Sequence, residues 1–101
     1  MADICLNMLC PLAVEERVLD TLLALVGEAG IFTSAPAHAH GFAHGLLSTE
    51  EQVSGRSGAL LVQLLLPQER LEALIAELQR ELARSGVRYW ATPVARQGEF
   101  Q

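Results

Sequence analysis

The sequence contains no lysine: all seven of its positive charges are arginines, set against 12 acidic residues for a formal net charge of −5. Sequence-independent nucleic-acid binding depends on neutralising phosphates with Lys and Arg, so an acidic chain without a basic stripe is excluded from that class. Anionic membrane surfaces are disfavoured for the same reason. No apolar run reaches the ~20 residues of a membrane helix, and Met1-Ala2-Asp3-Ile4 lacks the basic region of a secretory signal. A cytoplasmic protein is expected, with no membrane insertion. Cysteine is scarce as well. Cys5 and Cys10 lie in one apolar segment, and if it is extended at ~3.3 Å per residue they stand on opposite faces roughly 16 Å apart. Disulfide geometry requires Cα atoms within about 7 Å, so two reduced, packed thiols are expected.

What is present is an ample core. Half of the 101 residues are hydrophobic, the size and composition of one folded domain, with a core over 3–94 and a polar tail at 95–101. Residues 3–10 are almost continuously apolar up to Pro11 and read as a buried strand. Val14, Val18, Leu22, Leu25 and Val26 then recur at helical spacing, and Gly27 and Gly30 close that helix. Residues 31–40 read as extended, with Pro36 marking an edge strand because proline cannot donate to a ladder. The polar loop 41–58 carries Ser48-Thr49-Glu50-Glu51, a capping-box pattern that points to a short helical turn. Residues 59–66 form a second buried strand. Pro67 opens a helix with Leu71, Leu74, Ile75, Leu78 and Leu82 on one face, Gly86 stops it, and 87–94 is the last strand. The order β-α-β-β-α-β specifies an α+β, ferredoxin-like sandwich: a four-stranded antiparallel sheet with two helices on one face.

In that topology the first and third strands are central. Their even positions (Ile4, Leu6, Met8, Cys10; Leu60, Val62, Leu64, Leu66) are wholly apolar and should face the helices. The odd positions remain largely apolar, with Asn7 and Gln63 as one amide on each strand. A sheet face of this kind is expected to be buried against other copies of the chain, with Asn7 and Gln63 hydrogen-bonded inside the contact.

All three histidines fall within seven residues, His38-Ala39-His40-Gly41-Phe42-Ala43-His44. In an extended segment positions 38, 40 and 44 share parity, and residues two apart lie ~7 Å apart at Cα, close enough for imidazoles to converge on one ion. Imidazole suits Zn, Cu, Ni and Co alike, so the ligand type does not choose the metal. The competing reading is exposed histidines that shape an edge strand and its loop. Arg56, after Gly55, is placed to hold an anion or carboxylate, or to pair with Glu50 or Glu51. Glu51, Gln52 and Arg88 complete the polar candidates. The loop glycines form no phosphate cradle of the GxxxxGK[ST] type, and no histidine is paired with a clear acid or cofactor motif, so binding rather than catalysis is expected.

Taken together, Cys10-Pro11, Phe32-Thr33-Ser34-x-Pro36, His40-Gly41-x-x-His44-Gly45 and Leu47-Ser48-x-x-Glu51-Gln52-Val53-x-Gly55-Arg56 resemble a bacterial family of PII-like proteins often encoded beside RND-type heavy-metal efflux pumps. Leu66-Pro67, Arg88-Tyr89-Trp90 and Pro93-Val94 extend the resemblance over roughly residues 3–99. It implies a homotrimer of ferredoxin-like subunits with ligand clefts between them, and a partner-contacting loop at 41–58. By that resemblance His40, Gly41, His44, Glu51, Gln52, Gly55 and Arg56 are the functional positions. The function it implies is a regulatory sensor linked to heavy-metal homeostasis. Such a sensor would bind metal through His38, His40 and His44 and signal to an efflux-system protein. The alternative is a module binding a small anion or nucleotide at the subunit clefts through Arg56 and Arg88. The small copper-chaperone domains share this topology but need MxCxxC, where this chain has Met8-Leu9-Cys10-Pro11.

Overall fold

The computed structural model describes residues 3–26, 31–41 and 57–101. Strand β1 (Asp3–Pro11) leads through a short 3-10 turn (Leu12–Val14) into helix α1 (Glu15–Val26), followed by β2 (Phe32–Ala39) and β3 (Ser57–Pro67). A second 3-10 turn (Gln68–Arg70), helix α2 (Leu71–Glu81) and β4 (Arg88–Val94) complete the chain. The four strands form one antiparallel sheet in the order β2-β3-β1-β4. The expected topology is therefore the observed one. The capping-box turn at 48–51 and the glycines expected to end α1 lie outside the described residues.

Both strand-to-helix junctions are built alike. Pro11 (φ −58°, ψ 142°) and Pro67 (φ −63°, ψ 142°) each end a strand, and each is followed by three residues of 3-10 turn. Proline fixes φ near −65° and donates no hydrogen bond, so it tolerates the extended backbone while ending the ladder. Here the structure corrects the sequence reading. Pro67 does not open the helix; it is the last residue of β3, in register with Asp3, and the helix starts four residues later at Leu71. The strand also begins earlier than expected, so Ser57 and Gly58 belong to β3 rather than to the loop.

The even positions of β1 and β3 point to the helices as expected. Leu6, Met8, Cys10, Leu60, Val62, Leu64 and Leu66 join Val18 and Leu22 of α1 and Leu78 of α2 in one core. Val18, Leu22, Val62 and Cys10 are completely buried. The second helix stops before Gly86. It ends at Glu81, Leu82 caps it, Arg84 takes a left-handed backbone (φ 62°) and Gly86 (φ 81°) turns the chain into β4. Arg84 is thus beyond the helix. The last carbonyls of a helix lack intrahelical partners, and Arg17 of α1 supplies one from 64 positions away: its Nε and Nη2 donate to the Glu81 carbonyl at 3.1 and 2.6 Å. That contact ties the two helices together at their surface.

Replacing Leu22 by alanine should destabilise the protein by about 2–5 kcal/mol, the usual cost of a buried leucine. Arg17→Ala should cost only about 1 kcal/mol, since its hydrogen bonds are solvent-exposed. Urea unfolding of the two variants checks this order.

Candidate functional site

One end of the sheet gathers the C-terminal ends of β1 and β2 and the start of β4. β2 is an outer strand, and the pairs Ala37–Ala59 and His38–Gly58 are among its last rungs. Side chains alternate along β2 as far as its last residue, Ala39. Ala37 and Ala39 face the side away from the helices, where Ala39 and Ala59 are buried together against Leu9. His38 has the opposite parity and is exposed, and His40 follows directly after the strand, also exposed. Gly41 then takes φ +91° with nothing within 4 Å of where a Cβ would stand. The glycine is thus needed for its backbone conformation rather than for space, and it bends the chain just after the two histidines.

His44, Glu51, Gln52, Gly55 and Arg56 lie outside the described residues. Among the described residues, no group of three or more His, Cys, Asp or Glu is placed to hold a metal ion. His38 and His40 therefore contribute at most two ligands.

Arg88 is not brought to the histidines. It opens β4, opposite Leu9 and so on the helix-free face. β4 and β2 are the two outer strands, three strand spacings or roughly 14 Å apart. Arg88 and His38 therefore do not share a site within one chain.

The helix-free face is as apolar as its sequence indicated. Leu9 and Leu61 are half-buried, while Leu65 and Trp90 are 48% and 46% exposed. Across its middle runs the row Thr33–Gln63–Asn7–Trp90. Asn7 is only 5% exposed and its carboxamide is fully engaged. Its Nδ2 donates to the Cys5 and Trp90 carbonyls at 3.2 and 3.4 Å, and its Oδ1 accepts from Gln63 Nε2 at 3.0 Å and from the Cys5 thiol at 3.6 Å. The two amides expected to bond inside an interface already bond to each other within one chain, because they are direct partners in the β1–β3 register. The link to Trp90 carried no sequence signal, since it depends on β4 pairing with β1.

Both cysteines are free and on opposite faces, as expected: Cys5 half-buried, Cys10 buried in the core. Burial raises the Cys10 thiol from 9.0 to about 11, because desolvation disfavours the thiolate. Cys10 is thus a packing residue and a poor nucleophile or metal ligand.

Residues 1–101 match the family described as "Protein of unknown function (DUF3240)". The chain belongs to the DUF3240 family. A crystal structure of a DUF3240 family protein from Shewanella baltica is similar over 100% of this chain and 99% of that one, at TM-score 0.77 and 17% identity. The periplasmic divalent cation tolerance protein CutA from Archaeoglobus fulgidus matches 96% of this chain and 88% of its own at TM-score 0.66 and 14% identity. CPII, a nitrogen regulatory PII-like protein from Thiomonas intermedia, matches 96% and 97% at TM-score 0.63 and 16% identity. These likenesses fix the architecture of this DUF3240 protein as the PII-like form of the ferredoxin-like fold. No curated protein matches its sequence. Among the described residues no helix is long and apolar enough to cross a membrane.

Gly41→Ala should cost about 1 kcal/mol through backbone strain alone, read by thermal unfolding. A separate pH titration tests Cys10. Its thiol ionises in the unfolded chain above pH 9 but in the folded chain only near 11. The folded state therefore holds the extra proton in that window, and stability should fall as pH rises from 9 to 11. Cys10→Ala should flatten that slope.

Proposed function

We propose that this DUF3240 protein is a PII-like regulatory module, a cytoplasmic homotrimer that senses a transition metal ion (Zn, Ni, Co or Cu) and signals to an efflux-system protein through the segment 41–58. The observation that carries the reading is the placement of His38 and His40. They are exposed and of one parity, at the end of an outer strand that runs through Gly41 straight into that segment. His44 is the third ligand in this reading. The metal acts as a signal only if it favours one arrangement of the segment over another, because a ligand shifts an equilibrium by its differential affinity. The relative named for divalent cation tolerance has the same fold. Assembly is supported by the uncovered apolar face carrying Leu61, Leu65 and Trp90, an arrangement that soluble chains seldom leave to water. The protein binds and signals and is not an enzyme.

A second reading has its own support. The Thiomonas PII-like protein was solved with ADP, AMP and bicarbonate, and Arg88 stands exposed at the edge of the helix-free face, where a neighbouring subunit would meet it. In that reading Arg56 and Arg88 from different subunits hold a small anion or nucleotide at the clefts.

Native mass spectrometry with Zn(II), Ni(II), Co(II), Cu(II) and ATP in separate titrations distinguishes the two. The metal reading expects trimers taking up one ion per chain, with uptake lost in the His40→Ala, His44→Ala double variant. Trimers that ignore metal but bind nucleotide, with binding lost in Arg56→Ala, would replace it by the second reading. A monomer at all concentrations would remove both.

A further inference from the structure

The polar tail, residues 95–101, carries an aromatic that its own chain does not cover. Phe100 is fully exposed. The tail is nevertheless tethered: Gln97 Nε2 donates to Asp3 Oδ2 at 3.2 Å. Asp3 has the parity of Cys5 and Asn7, so this tether holds the tail on the helix-free side of the sheet.

On the other side, at the same end of the molecule, lies a groove between the end of α1 and the start of α2. It has two lobes, cavities of about 150 and 210 Å³ that share Leu25, Arg70 and Leu74 as walls. The larger lobe adds Glu69 and Glu77, while the smaller one is floored by Leu64, Leu66 and Pro67 and has Arg70 as its charged wall residue. Among the described residues the ion pair is that of Arg80 with Glu77, which leaves Glu69, Arg70, Arg96 and Glu99 without one.

We infer that the groove is the docking site for the tail of a second copy, with Phe100 in the apolar lobe, Glu99 against Arg70, and Arg96 toward Glu69. Arg70 borders both lobes, Glu69 borders the larger one and Glu77 is taken by Arg80, so the groove offers one open charge of each sign to the tail's Arg96 and Glu99. A buried aromatic ring flanked by rim charges is the usual anchor of such a contact. With Gln97 bonded to Asp3 the tail lies on the face opposite its own groove, so a neighbour's tail is taken as the occupant. The contact needs self-association but neither a metal nor a nucleotide.

The test places the photoreactive analogue benzoylphenylalanine at position 100 of the full chain. Crosslinks between copies that map to Leu25, Leu66 or Leu74 are expected. Their yield should fall at least threefold in Arg70→Glu and recover when Glu99→Arg is added. Crosslinks confined to one chain, crosslinks to Leu61 or Trp90 of the helix-free face, or none at any protein concentration would overturn the inference. Leu61→Glu separates the two modes of assembly: it should weaken association through the helix-free face and leave the tail crosslink in place at high concentration.

Discussion

The pairing of β1 with β3, from Asp3 against Pro67 to Pro11 against Ala59, sets every other position in the molecule. Because side chains alternate along a strand, a slip of one residue would turn one of the two central strands over relative to the other. If β1 turned, its even residues would leave the core and Asn7 would face the helices. In the observed register the core is wholly apolar on the helix side, and the Asn7 and Gln63 amides meet at 3.0 Å on the other. An amide pair of this kind stabilises only when aligned, since a buried carboxamide without partners is costly. Asn7 and Gln63 therefore favour one register where the surrounding leucines would tolerate several.

Much of this was legible in the sequence. The two central strands announced themselves as apolar runs, α1 and α2 by leucines at helical spacing, and β2 as an edge by Pro36. The boundaries went astray where a residue type serves two roles. Proline suits both a first helical turn and the end of a strand, and at Pro67 the ψ of 142° selects the strand. Glycine is a common helix stop, but here α2 ends at Glu81, whose carbonyl accepts from an arginine of the other helix, and the chain turns left-handed already at Arg84.

The candidate site was less legible, for a physical reason. Parity places His38 on the exposed side of β2, while His40 lies just beyond the strand's last residue. It could not say that Arg88 stands on the opposite face and the far strand, because that depends on the strand order.

The two outer strands each contain a proline, Pro36 in β2 and Pro93 in β4. An exposed edge is a template for further strands only where its amide donors are continuous. A proline in each border strand interrupts its run of donors, which makes both edges poorer templates for a further strand.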